Sequence, residues 1–192
     1  MSLLIRPVIA MIMLAAVSCA TDAHGIRKVT DPNAPRSLPV DGQVDVRWTD
    51  PSEFSDIRYS GNRFEAERGN WVRDLAEYLR KRALKGLPPG ERMEVEITDI
   101  RRAGYYEPWR GIAMQNVRIL RDIYPPRLEL NFRRLNPTGE IINAGERKLS
   151  DSAYLMRSSP LNSSDPLRYE KQMIDRWLRD ELRAPSGADP SV

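Results

Sequence analysis

Apolar and polar positions alternate most clearly across residues 91–104, where Met93, Val95 and Ile97 face one way and Glu94, Glu96 and Thr98 the other. A period of two with one apolar side predicts a strand with one face on a core and one in water, as antiparallel sheets permit. Val44, Val46 and Trp48 alternate with Asp45 and Arg47 to give an earlier strand, ended by Asp50-Pro51 because proline cannot continue the ladder. Residues 117–122 read as a short strand broken by Pro125-Pro126. Residues 127–135 turn Leu128, Leu130 and Phe132 inward, and Asn136-Pro137-Thr138-Gly139 supplies a hairpin turn into a return strand at 140–149.

The period changes to that of a helix in two places. Val72, Leu75, Ala76, Leu79 and Ala83 recur at helical spacing within residues 64–85, with Trp71 and Tyr78 beside them. Asn62 with Glu65 resembles a capping box, while Gly86 and Pro88-Pro89-Gly90 stop the helix. Near the C-terminus, Ser164-Asp165-Pro166 opens a second helix, with Leu167, Met173, Ile174, Trp177, Leu178 and Leu182 on one stripe. The order β-α-β-β-β-β-α predicts a single α+β domain over residues 44–183, an antiparallel four- to five-stranded sheet with two helices on one face.

The ends lie outside this pattern. Residues 1–18 carry one Arg, an unbroken apolar run at 7–17 and then small residues, the order of a signal peptide. That run is too short to span a bilayer as a stable helix. Cys19, the only cysteine, follows Ala16-Val17-Ser18 and resembles the lipid-attachment cysteine of bacterial lipoproteins; cleavage after Ala20 or Ala23 is the alternative. Ala20 rather than Asp after Cys19 directs the expectation to the outer membrane, with a soluble periplasmic protein as the alternative. Residues 19–43, with Pro32, Pro35 and Pro39, read as a disordered tether, and residues 184–192 as a tail.

Composition then removes several chemistries. With Cys19 at the anchor and the single histidine, His24, in the tether, the folded part holds no thiol nucleophile, disulfide, Ser-His-Asp triad or histidine metal site. Glycine-rich phosphate loops are absent, so no cofactor is expected. The net charge of +3 is too small to imply nucleic acid, and the runs Arg80-Lys81-Arg82, Arg101-Arg102 and Arg133-Arg134 read as solvated faces.

Two constellations remain. Asp50, Asp56, Asp99 and Asp151 sit at strand ends or in loops, and the alternation places Asp99 inward, where it needs a partner such as Arg101, Arg102, Arg118 or Arg121. Converging carboxylates would suit a small hydrolase or a divalent-cation site; structural carboxylates that satisfy backbone donors or hold an Arg are the alternative. Tyr105, Tyr106, Glu107, Trp109 and Arg110 form a candidate interaction surface, or a loop whose rings fold back over the sheet edge.

Several motifs resemble, in order and spacing, a bacterial family of exported proteins called domain of unknown function 3016. They are Val46-x-Trp48-x-Asp50-Pro51-x-x-Phe54-x-Asp56-Ile57, Leu87-Pro88-x-Gly90 and Ile97-Thr98-Asp99-Ile100-x-x-Ala103-Gly104. Pro125-Pro126-x-Leu128-x-Leu130, Leu149-x-Asp151-x-x-Tyr154 and Glu170-Lys171 with Trp177 complete the set. The resemblance implies export and one domain, and brings no activity with it. Taken together, the sequence leads to an exported, non-catalytic binding or assembly module. It would meet an envelope protein or an anionic envelope component and touch the membrane through a lipid anchor only.

Overall fold

A computed structural model of the chain describes residues 27–156 and 164–183. The expected signal peptide, Cys19, His24 and the expected C-terminal tail lie outside the described residues. Among the described residues six strands are present: β1 (Val44–Trp48), β2 (Arg92–Arg101), β3 (Tyr105–Tyr106), β4 (Arg118–Ile119), β5 (Arg127–Leu135) and β6 (Ile141–Ser150). Four helices join them: α1 (Ser55–Arg58), α2 (Arg63–Glu67), α3 (Trp71–Gly86) and α4 (Arg168–Arg183). The fold is α+β, with a four-stranded sheet in the order β1-β2-β5-β6 and a two-stranded ribbon of β3 and β4.

The core follows the alternation. Val44, Val46 and Trp48 lie beside Met93, Val95 and Ile97, and Leu128, Leu130 and Phe132 continue the same apolar face. The expected stripes of α3 and α4 close over it, and full burial of each large aliphatic side chain contributes about 1.5–3 kcal/mol. Trp177 meets Phe132 edge-on with ring centroids 5.8 Å apart. The helices are tied to each other where Tyr78 Oη and Arg82 Nε both donate to Asp175, at 2.9 and 2.6 Å. The opposite face of the sheet is wet and covered by cross-strand ion pairs such as Arg47–Glu96 and Arg92–Asp45.

Four details depart from the sequence expectation. First, the sheet is mixed, because β1 runs parallel to β2. The chain between them crosses over through α1, α2 and α3 and re-enters the sheet at the same end, which a hairpin could not do. Second, residues 117–122 do not join the main sheet; Arg118 and Ile119 pair with Tyr106 and Tyr105 instead. Third, the helix expected over 64–85 is two helices, broken at Gly69, whose φ of +90° is left-handed. Fourth, the stretch read as tether is docked from residue 27 onward. The Leu38 amide donates to the Val46 carbonyl at 2.9 Å, the Trp48 amide donates to the Arg36 carbonyl at 2.9 Å, and Leu38 is buried. This segment covers the β1 edge, which would otherwise offer unpaired backbone groups.

One end of the sheet gathers most of the irregular chain. β1, β2 and β6 finish there, β5 starts there, and α4 begins there. Between β2 and β5 the chain makes an excursion over residues 102–126, built from the β3–β4 ribbon and two single 3-10 turns, Pro108–Arg110 and Ile112–Met114. Gly104 opens it at a φ of +81°, and a Cβ there would sit 2.7 Å from the Ile119 carbonyl oxygen. Gly139, in the hairpin turn, has a φ of +88° and nothing within 4 Å of an added Cβ. Gly139→Ala therefore loses about 1 kcal/mol of unfolding free energy, while Gly104→Ala adds a steric cost of about 1–3 kcal/mol to that, as read by urea denaturation. Equal losses at the two positions would contradict the close approach of β4 to Gly104.

Candidate functional site

The excursion is held from beneath by carboxylates that the fold buries. Asp56, on α1, accepts five hydrogen bonds. Three come from Arg102, through its amide and guanidinium at 2.7–2.9 Å, and two from Arg118 at 2.9 and 3.0 Å. Arg102 also donates to the Ala66 carbonyl at 2.9 Å and stacks over the Trp71 ring at 4.1 Å. Arg118 lies over the Tyr106 ring at 4.7 Å. Burial alone would push the Asp56 carboxyl up, but the Arg118 and Arg102 guanidiniums outweigh it and hold it below the usual carboxylate value.

Glu170, at the start of α4, reaches the same cluster. Its Oε1 accepts from the Ala103 amide at 2.6 Å and its Oε2 is buried without a hydrogen-bond partner. Burial pushes this carboxyl up, against the lowering effect of the Ala103 amide and Arg102. Two carboxylates in one cluster are thus driven in opposite directions, because Asp56 is enclosed by two cations and Glu170 by mostly uncharged groups.

A second clamp holds the tip. Glu107 has no exposed surface; it pairs with Arg110, and it accepts from Tyr124 Oη at 2.9 Å and Arg121 at 3.1 Å. Burial raises this carboxyl, and the Arg110, Tyr124 and Arg121 hydrogen bonds together lower it further than burial lifts it. A fourth carboxylate, Asp151, is buried after β6 and pairs with Arg176 of α4 at 2.6 Å. Next to it the Tyr154 hydroxyl donates to the Arg121 carbonyl at 2.8 Å, and burial pushes that hydroxyl up to about 12.

Large apolar side chains are exposed on the outside of the excursion, between polar ones. Trp109 is 67% exposed, Ile112 86% and Ile123 62%. Val117 and Leu120 are also exposed, so five of the twelve exposed large apolar side chains among the described residues fall within residues 109–123. Tyr105 underlies them, 6.3 Å from Trp109 and 5.3 Å from Tyr124, with its hydroxyl donating to the Tyr59 carbonyl at 2.8 Å.

The candidate residues now fall into place. Of the expected interaction surface, Trp109 and Arg110 are outside, Tyr105 is half-buried, and Tyr106 and Glu107 are buried supports. The four aspartates are not one site. Asp50 caps the turn at Pro51–Glu53 and pairs with Arg36 at 2.7 Å. Asp99 accepts from the Ser55 amide at 2.6 Å and the Ser55 hydroxyl at 2.7 Å, so β2 supplies the cap that α1 lacks. Of its expected arginine partners, Arg102 and Arg118 go to Asp56 and Arg121 to Glu107 instead, and a β-bulge between Ile97 and Asp99 turns Ile100 into the core in place of Asp99. Among the described residues no group of three or more His, Cys, Asp or Glu side chains is placed to hold a metal ion. Glu170 was not among the sequence candidates, and nothing in an amphipathic stripe marks which acidic residue turns inward. Of the arginines expected on solvated faces, Arg134 is buried on Glu91 at 2.6 Å and Arg102 is half-buried on Asp56.

The family model described as Protein of unknown function (DUF3016) matches residues 42–180. The chain belongs to that family. The DUF3016 span runs from just before β1 into α4, so it takes in the whole excursion together with Asp56, Glu107, Asp151 and Glu170. Comparison with curated proteins and with solved structures gives no match.

The clamp has a pH signature. Asp56 has a lowered folded pKa, so its stabilisation is complete above the unfolded value of about 3.9 and is lost as the pH falls through the lower folded value. Asp56→Asn leaves two enclosed guanidiniums without a counter-charge and costs about 3–5 kcal/mol near pH 7, and that gap narrows below about pH 4. Glu170 has a raised folded pKa, so its contribution is present below about pH 4.3 and lost as the pH rises through the folded value. Wild type therefore loses stability relative to Glu170→Gln as the pH rises. Denaturant titrations of the three proteins from pH 3 to 8 check both slopes, and parallel curves would contradict the assignment.

Proposed function

We propose that this member of the family is an exported, non-catalytic binding module of the cell envelope, anchored to the outer membrane by lipid on Cys19, that docks through the excursion over residues 102–126. The observation that carries the reading is the inversion at that end of the sheet. The carboxylates Asp56 and Glu107 are buried with arginines bonded to them, while Trp109, Ile112 and Ile123 are held outside. Several large apolar side chains exposed along one short, braced stretch have the character of an interaction surface. A catalytic reading through Asp99 gains no support, since Asp99 is engaged by Ser55 and its neighbours by their own donors.

The apolar run before Cys19, the proline-rich stretch after it and the small residues ahead of it support export and lipidation. No helix among the described residues is long and apolar enough to cross a membrane. The intact mass of the membrane-fraction protein should show an acylated Cys19 as the first residue, and Cys19→Ser should move the protein out of that fraction on an alkaline wash. A mature start at Thr21 or His24 would refute the anchor. Docking has its own readout. Envelope fragments should bind the mature protein, and Trp109→Ser with Ile112→Ser should reduce that binding at least about tenfold without changing the circular dichroism. Undiminished binding would remove the excursion from the account.

A further inference from the structure

The two edges of the sheet differ. The β1 edge is covered by residues 36–38, whereas no described residue pairs with the outer edge of β6. A groove of about 510 Å³ lies beside that strand, between β6 and α4. The ladder fixes which groups face the free edge. Each residue of an antiparallel strand turns its N–H and C=O to one neighbour, and successive residues alternate. The Asp151 amide donates to the Pro126 carbonyl at 3.4 Å, in register with the pairs Leu149↔Leu128 and Arg147↔Leu130, so the odd-numbered residues of β6 bond β5. Ala144, Glu146, Lys148 and Ser150 therefore turn their backbone groups outward, and their side chains are exposed on the wet face. Before Ala144 the ladder slips at a bulge, since Arg134 pairs with Asn143 but Leu135 with Ile141. The Glu146 carbonyl accepts from Arg147 Nη1 at 3.0 Å and keeps its second lone pair for another donor.

This edge is complementary to itself. A two-fold axis at Arg147 sets Ala144 of one copy opposite Ser150 of the other, and Glu146 opposite Lys148. That register alone engages every outward-facing residue after the bulge. Charge selects the same one. Sliding one strand by two residues sets Glu146 opposite Glu146 or Lys148 opposite Lys148, and like charges directly opposite repel. A lysine alone guards an edge against pairing. Here Lys148 follows Glu146 on the same face, its Nζ 3.2 Å from Glu146 Oε1, and a second copy meets each with its opposite. Arg147 would meet its own copy at the axis, but it is engaged inside its own subunit. Its guanidinium lies over the Phe132 ring at 4.6 Å and bonds Glu181 at 3.1 Å. The ends match as well. Ile141 is 56% exposed before the regular ladder and Met156 is 89% exposed in the turn after it, and antiparallel pairing brings one copy's Ile141 beside the other's turn.

We infer that β6 pairs edge to edge with β6 of a second copy of this chain, in the register that sets Glu146 opposite Lys148, so that the two four-stranded sheets become one. The surface is separate from residues 102–126, and the inference does not depend on the docking reading. The paired stretch is about 20 Å long, which makes a small interface and a weak, reversible dimer.

The test is a charge exchange. The mature protein carries Cys19→Ser, so that no lipid gathers it, and is followed by sedimentation velocity from about 5 to about 500 µM, where a monomer–dimer equilibrium is expected. Glu146→Lys and Lys148→Glu each set like charges opposite one another twice, and each alone should weaken the dimer at least about fivefold. An equal mixture of the two variants should recover the wild-type affinity to within about twofold, since each then meets its opposite. Both side chains are exposed, and circular dichroism should not change. Hydrogen exchange gives a second readout. The amides of Ala144, Glu146, Lys148 and Ser150 should gain protection as the concentration rises, while the odd-numbered amides of β6 are protected throughout. A monomer at every concentration, a dimer that neither substitution weakens, or variants that fail to rescue each other would overturn the inference. So would protection of the even-numbered amides at the lowest concentration, since another segment of the same chain, such as residues 184–192, would then cover the edge.

Discussion

The arrangement of the sheet end depends on one interaction, the enclosure of the Asp56 carboxylate by Arg102 and Arg118. Asp56 sits on a single turn of helix, α1, which would have little reason to hold its place alone. Arg102 is the first residue after β2 and Arg118 opens β4, so one buried anion joins α1, the end of the sheet and the excursion ribbon. Removing ions from water is costly, and the pairing repays that only because almost every donor around the carboxylate is satisfied. An apolar triad of similar volume could be as stable. What the ions add is position, since guanidinium and carboxylate bond in few geometries.

The same device recurs outward along the excursion. Glu107 gathers Arg110, Arg121 and Tyr124, and Asp151 ties the end of β6 to α4 through Arg176. Glu170 closes the set by bonding the Ala103 amide between Arg102 and Gly104. A stretch with little regular structure is thereby fixed at several points along its length. That lets it keep large apolar side chains outside, where an unbraced loop would fold them inward.

Much of the fold was legible because its signals are periodic. The alternation of Met93, Val95 and Ile97, and of Leu128, Leu130 and Phe132, places those residues in the core as expected, and the stripes of α3 and α4 do the same. The parallel pairing of β1 was not legible, since direction depends on where the crossover helices deliver the chain. Asp99 misled because strict alternation carries through Thr98, and the bulge that resets it has no sequence mark. Asp56 was among the candidate carboxylates, but its burial and its partners were hidden, as was Glu170, for a related reason. A buried ion pair needs partners distant in sequence, here 46 and 62 residues away for Asp56, and no local pattern encodes them. Trp109 stood out as a large ring in a proline- and glycine-bounded loop, and it is outside; Tyr106, three residues earlier, turns in beneath Arg118.

If the carboxylate clamps brace the excursion, its root should be as resistant to opening as the sheet it leaves. The amides that report this are Arg102, bonded to Asp56 at 2.9 Å, Ala103, bonded to Glu170 at 2.6 Å, and Gly104, bonded to the Tyr124 carbonyl at 3.0 Å. Native-state hydrogen exchange measures their opening free energies directly. The account predicts protection at these three positions matching that of β2 and β5, lost first at Arg102 in Asp56→Asn. Exchange at the rate of a solvent-exposed loop in the wild-type protein would contradict it.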